Sequence, residues 1–131
     1  MDAELEESLV DDVTQCEDRI VSQWRGVSGD EKSELREKFD EILRPLGLQT
    51  RLVVVERANS IALYFICMTL LALTSLRDLW RSGQLSRIVE SLFDLLAGTD
   101  VYVKRLTWPV AEYERRCQFF SSVRGKPTTL S

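Results

Sequence analysis

The chain of 131 residues contains no histidine. Histidine is the usual general base near neutral pH and a frequent metal ligand, so its absence excludes Ser-His-Asp and Cys-His nucleophiles and His-ligated metals. The three cysteines, at positions 16, 67 and 117, are far apart and form no Cys-x-x-Cys pair. Their spacing indicates neither a zinc site nor a redox motif.

Phosphate-binding and hydrolase motifs are also absent. The six glycines stand singly, without a Gly-x-Gly-x-x-Gly run, a Walker loop or a Gly-x-Ser-x-Gly elbow. The paired acids Glu6-Glu7 and Asp11-Asp12 lie among further acids, with no neighbouring group that would raise a pKa, which is typical of a solvated face. We therefore predict a protein that is not an enzyme and holds no cofactor or metal.

Charge is distributed unevenly along the chain, whose net charge is −4. Residues 1–18 contain eight acidic side chains and no basic one, whereas the remainder carries 17 basic against 13 acidic side chains. A nucleic-acid-binding domain normally has a concentrated basic stripe, but here the bases alternate with acids. The only local excess of bases, between Lys104 and Lys126, is more typical of a solvated face than of a phosphate site. We predict no nucleic-acid partner.

The N-terminal residues do not form a basic segment followed by an apolar run, so the sequence predicts no secretory signal. Scattered thiols in odd number fit a reducing compartment, and we expect a cytoplasmic protein. Residues 58–76 form a run of nineteen without a charge, long enough for a membrane helix. Polar residues interrupt the run, which favours a strand followed by a buried helix, with no membrane association.

Apolar residues recur at helical spacing in the first third of the chain. Residues 3–25 are predicted to form an acidic amphipathic helix that ends at Gly26. A Ser-Gly-Asp-Glu capping box at 28–31 predicts a second helix, which ends near Pro45 and Gly47. The spacing of the first stripe is close to that of a coiled coil, so pairing with a second copy is an alternative. The stripe consists of Leu5, Leu9, Val13, Cys16, Ile20 and Trp24.

β-Branched and aromatic residues dominate the middle of the chain, where two apolar segments flank a short polar turn and predict a β-hairpin. Two helical stretches follow, interrupted at Gly83 and closed by Gly98, and an alternating segment then predicts one more strand. The predicted elements are strands at 51–57 and 61–67, helices at 70–80 and 85–96, a strand at 101–106 and a helix at 109–122.

This order of elements predicts an α+β fold, in which a small, mostly antiparallel sheet of three or four strands packs with helices as an α/β sandwich. An all-helical death-fold bundle is the alternative, but it would require the β-branched segments 52–55 and 101–103 to be helical. We divide the chain into an acidic helix at 1–26, an α/β domain at 27–122 and a flexible tail at 123–131.

Two large aromatic residues near the last predicted strand are candidates for partner contacts. Tyr102 and Trp108 lie at a strand and at the turn after it, where amphipathic side chains often anchor interfaces. Trp108 is also well placed to hold the last helix against the sheet, which is the more common use of tryptophan. We assign the other aromatic residues of these segments to the core: Tyr64, Phe65, Phe93, Phe119 and Phe120.

The segment Trp80-Arg81-Ser82-Gly83-Gln84-Leu85, followed by Ile88-Val89, Glu90 and Leu92-Phe93, resembles the TRADD N-terminal domain family. Residues 51–67 resemble that family's strand, polar turn and strand, residues 101–106 its next strand, and residues 111–117 its following helix. The resemblance covers about residues 35–122. The family also has a strand before its first long helix, whereas here residues 3–25 are predicted to be helical.

The resemblance implies an α/β sandwich that docks a TRAF-type adaptor, or another signalling protein, in death-receptor and immune signalling. It places a hydrophobic contact at Ile61 or Ala62 and a contact arginine near Arg124. The predicted function is therefore a non-enzymatic docking domain of a cytoplasmic adaptor. The alternatives are a scaffold that self-associates through residues 1–26 and a death-fold helical module. The predicted partner-binding residues are Ile61, Ala62, Tyr102, Arg105, Trp108 and Arg124.

Overall fold

The structure is a computed structural model that describes residues 1–6, 13–28, 34–57 and 60–125. Within these ranges, a four-stranded antiparallel sheet packs with α-helices, which confirms the predicted α+β class. In chain order the elements are β1 (Asp2–Leu5), α1 (Val13–Ser28), α2 (Glu34–Leu43), a 3₁₀ turn (Arg44–Leu46), β2 (Thr50–Arg57), β3 (Ile61–Cys67), α3 (Leu70–Arg81), α4 (Gln84–Ala97), β4 (Val103–Thr107) and α5 (Val110–Gly125).

The first residues of the chain form β1, which is an interior strand of the sheet. The strand order is β2-β3-β1-β4. Ala3 of β1 pairs with Ile61 of β3 on one side and with Leu106 of β4 on the other. The amino group of Met1 donates to the carbonyl oxygen of Leu63 at 3.0 Å, and the Leu63 amide donates back to Met1 at 2.7 Å. β1 thus joins β4 to the β2–β3 hairpin.

The prediction of a continuous helix over residues 3–25 is wrong. Residues 2–5 form a strand, and α1 begins at Val13 and passes through Gly26 to end at Ser28. Ala3 and Leu5 point into the core while Asp2 is exposed, which is the period of two that a strand requires. Pairing on both sides overrides the local preference for helix. Beyond Ser28, the predicted capping box lies outside the described residues.

The apolar stripe of α1 is buried within the domain. Cys16, Ile20 and Trp24 face inward, where α1 packs against α4, and the Trp24 ring lies 5.9 Å from that of Phe39 on α2. α4 contributes three completely buried side chains to the core, Leu85, Leu92 and Phe93. The stripe is therefore occupied inside one copy of the chain, so a coiled coil with a second copy would require the domain to open.

Two acids of the N-terminal region pair with a base at the end of the hairpin. The Arg57 guanidinium lies 3.4 Å from the buried carboxylate of Glu17 and also contacts the carboxylate of Asp18. A charge at Glu17 is tolerated in the core because a cation faces it. These contacts join α1 to β2 and neutralise part of the acidic segment.

Most of the later elements follow the prediction. The hairpin strands, α3 and α4 agree within a few residues, and Gly83 and Gly98 take the left-handed φ values of 83° and 72° that end helices. β4 begins two residues later than predicted, and α5 extends to Gly125, inside the predicted tail. In the described part of the chain, no helix is both long and apolar enough to span a bilayer. The uncharged run at 58–76 is divided between β3 and α3.

We predict that Ala3→Asp destabilises the fold by about 3 kcal/mol or more, because it places a carboxylate at a fully buried position between two strands. Urea unfolding measures the change. Glu4→Gln is the matched control in the same strand and should change stability by less than about 1 kcal/mol, because the Glu4–Lys104 ion pair is exposed. Equal midpoints for the wild type and Ala3→Asp would contradict an interior β1.

Candidate functional site

One face of the hairpin is covered by helices and the other is open. Val55 and Leu63 point into the core, where they are almost completely buried. On the opposite face, Val54 is 39%, Tyr64 47% and Ile66 50% exposed. Val54 pairs directly with Tyr64, and Ile66 follows two residues along β3, so the three side chains are neighbours. We call this apolar patch the open sheet face.

A β-bulge enlarges the open sheet face. The register of β2 against β3 shifts between Leu52 and Val54, so that Val53 is an extra residue without a partner. Val53 is partly exposed, as is Met68 just after β3. A bulge adds local twist and redirects side chains, so that the adjacent residues Val53 and Val54 are both partly exposed.

Tyr64 lies near an acid of β2. Hydrogen bonding toward the Glu56 carboxylate, followed by the negative charge of Glu56, raises the pKa of the Tyr64 hydroxyl. The hydroxyl is therefore protonated at neutral pH, and the side chain presents an exposed ring with a polar end.

The other half of this sheet face is charged. Glu4 on β1 stands opposite Arg105 on β4, and the Glu4 carboxylate lies 3.7 Å from the Lys104 ammonium. Asp2 also belongs to this face, opposite Thr107. An apolar half on β2 and β3 thus adjoins a half of mixed charge on β1 and β4.

Three of the six predicted partner-binding residues are buried, and the structure removes them from a contact surface. Ile61 is fully buried because it points into the core beside Ala3. Ala62 lies on the other face but is short, and in the register it is flanked by the longer side chains of Asp2 and Glu56. The prediction placed these positions at an interface by resemblance, which does not distinguish a buried side chain from an exposed one.

Trp108, the third, is 8% exposed and joins two helices to the sheet. Its ring lies 5.5 Å from that of Trp80 on α3 and 5.4 Å from that of Tyr113 on α5. The Trp80 indole nitrogen donates to the carbonyl oxygen of Leu106 at 2.7 Å, and the Arg77 guanidinium stacks on Tyr113 at 5.1 Å. Trp108 therefore fills the packing role that was the alternative to a partner contact.

Tyr102 and Arg105 are exposed, Tyr102 by 60%, and both belong to the β4 side of the sheet. Two carboxylates of α4 hold the segment that carries Tyr102. Asp94 accepts a bond from the Val101 amide at 2.6 Å, and Glu90 accepts one from the Val103 amide at 2.9 Å. Tyr102 and Arg105 thus lie near each other along the chain, whereas β1 separates β4 from β3 and the open sheet face.

Arg124 lies in the last turn of α5, and its side chain is outside the described part of the structure. Of the aromatic residues that the sequence assigns to the core, Phe93 is buried. The assignment is wrong for Tyr64 and Phe119, which are about half exposed. The sequence does contain a signal for Tyr64, because strict alternation from Ile61 along β3 directs it to the opposite face.

The described residues include no group of three or more cysteine or carboxylate side chains that could hold a metal ion. Comparison of the chain with protein-family models, with curated proteins and with solved structures gave no match. Function is therefore inferred from the geometry of the chain itself. The features available are an open sheet face, a charged half beside it and a fixed, exposed Tyr102.

We predict that the contribution of Asp94 to the free energy of unfolding is larger at acidic pH than at neutral pH. Burial raises the pKa of Asp94, although the bond from Val101 opposes the shift. The folded chain therefore keeps a proton on Asp94 at a pH where the unfolded chain has lost it, and this contribution is lost as the pH rises through the folded pKa. Relative to Asp94→Asn, the wild type should gain stability as the pH falls from about 6 to 4.

Urea unfolding at several pH values tests this expectation, with Glu114→Gln, an exposed carboxylate on α5 that is not among the groups shifting the pKa of Asp94, as the control. The difference in the free energy of unfolding between the wild type and Asp94→Asn should move in favour of the wild type as the pH falls. Curves that stay parallel over this range would contradict a carboxyl group whose pKa is raised by burial.

Proposed function

We propose that this chain is a non-enzymatic protein–protein interaction domain of a cytoplasmic signalling protein, and that its partner docks on the open sheet face. The observation that carries the proposal is the exposure of Val54, Tyr64 and Ile66 side by side on a sheet whose other face is packed. Contiguous apolar surface of this kind marks interaction sites on soluble domains.

The chemistry of the patch fits an interface anchor. Tyrosine is enriched among the residues that contribute most to binding, because it buries a large ring at a small cost in side-chain entropy. Tyr64 supplies such a ring on the open sheet face, where it pairs with Val54.

The charged half of the same face could form the polar rim of the proposed interface, which supports the proposal. Protein interfaces commonly surround an apolar centre with polar and charged groups that set specificity more than affinity. Glu4, Lys104 and Arg105 have this relation to the open sheet face, and Tyr102 lies at its outer edge. A partner that covers both halves would meet groups of both signs.

The resemblance to the TRADD N-terminal domain family supports a TRAF-type adaptor as the class of partner. β1 stands before α1, as the strand of that family stands before its first long helix. The outward side chains of β1 are acidic here, at Asp2 and Glu4, where the family contributes aromatic residues. We therefore expect the partner surface opposite β1 to be basic.

We predict that Val54→Lys weakens partner binding by roughly tenfold or more, because it places a charge at the centre of the patch. Affinity capture and mass spectrometry identify the partner, and titration of the purified partner, TRAF-type adaptors first, measures the effect. Leu48→Lys is the matched control, since Leu48 is exposed at the turn before β2, away from the patch. Unchanged affinity for Val54→Lys in a folded chain would reject the open sheet face as the docking site.

A further inference from the structure

β3 is longer than the strand beside it. The pairing of β1 with β3 ends where Met1 exchanges hydrogen bonds with Leu63, but β3 continues to Cys67. In an antiparallel ladder, the backbone groups of alternate residues point to the same side. Because those of Leu63 face β1, those of Phe65 and Cys67 face the same direction, where no strand of the described residues pairs with them.

This unpaired edge lines a groove between β3 and α5, which we call the β3 notch. Its volume is about 460 Å³, within the range of sites that bind small ligands and peptide side chains. Phe65 and Ile66 of β3 line this groove together with Arg116 of α5. Met1 closes the near end, and the other walls are Leu73, Leu76, Trp108, Glu112, Tyr113 and Arg116.

A buried aromatic residue forms part of the wall of the β3 notch. Trp108 lines the groove but is more than nine-tenths buried, and its indole N–H, which is also buried, has no acceptor among the described residues. The donors and acceptors that the β3 notch offers to an occupant are therefore those of the strand edge.

We propose that the β3 notch accepts an extended strand of a partner protein, antiparallel to β3 and in line with β1. Only an extended backbone offers donors and acceptors at the spacing of Phe65 and Cys67, and strand addition to an exposed edge is a recurring mode of peptide recognition. From Leu63 to Cys67 the edge spans about 13 Å, enough for about four residues. The added strand would continue the existing β1–β3 pairing.

The register specifies the chemistry of the occupant. The residue opposite Phe65 would point toward Leu73 and Leu76, so it must be apolar. Its neighbours, opposite Tyr64 and Ile66, would lie on the exposed side and can be polar. Proline is excluded opposite Phe65, because the amide at that position must donate. The inference rests on the proposed function only in that the partner is a protein; it assigns that partner a site of its own and a form, a strand with apolar residues at alternate positions.

An extension of the chain itself tests whether the edge accepts a strand. Val-Thr-Val-Thr added before Met1 would place its valines toward α3, whereas Val-Thr-Pro-Thr lacks the amide that pairs with Phe65. We expect the valine extension to raise the Tm by roughly 3–6 °C over the proline extension and to show cross-strand nuclear Overhauser contacts with Phe65. Equal Tm values and no such contacts would overturn the proposal.

Binding in trans is measured with dodecapeptides selected from a random phage-displayed library on the unextended chain. Their affinity for the chain with the valine extension should be lower by roughly tenfold or more, because the extension itself occupies the β3 notch. Their affinity should be unchanged for the chain with the proline extension and for Val54→Lys, because Val54 does not line the β3 notch. A selection that returns no binder would overturn the proposal.

Peptides that bind the valine extension normally but lose affinity for Val54→Lys would overturn the β3 notch and support the open sheet face. Partner binding that falls with the valine extension alone would support the β3 notch and reject the open sheet face. If the unextended chain is a dimer that the valine extension dissolves, the occupant is a second copy, and the assignment to a partner strand is overturned.

Discussion

The pairing of β1 with both β3 and β4 is the interaction on which the rest of the structure depends. Ala3 is the centre of this pairing, fully buried between Ile61 and Leu106. Without β1, the hairpin and β4 would have no common edge, and the helices would have no continuous sheet to cover. The small side chain of Ala3 adds little bulk to the inner face of the sheet, where α1 and α4 enclose the core. A segment of four residues thus determines the topology of a 131-residue chain.

The same strand determines the surfaces available for binding. Its outward residues, Asp2 and Glu4, give the β1–β4 half of the sheet its acidic groups, beside the apolar half on β2 and β3. Among the described residues, β3 has no neighbour on this side beyond its pairing with Met1. The open sheet face and the β3 notch are therefore two consequences of one feature, and they meet at β3, where Tyr64 and Ile66 line both.

Local patterns predicted the hairpin, α3 and α4, because each has several residues of regular period and a glycine or polar turn at its end. They failed for β1, since four residues are too few to display a period of two, and Leu5 happens to continue the stripe of α1. The exposure of Val53 depends on the bulge in β2, which exists only in the paired hairpin. The burial of Trp108 likewise depends on packing that local patterns do not show, against Trp80, which is 28 residues earlier, and against Tyr113 of α5.

Amide hydrogen exchange along β3, followed residue by residue by NMR, tests the central claim most directly. If β1 is an interior strand that ends at Met1, the Leu63 amide should exchange slowly, since it donates to Met1, while the Phe65 amide should exchange faster by roughly a hundredfold or more. Equal protection of Leu63 and Phe65 would contradict the account, because it would mean that the edge of β3 is already paired.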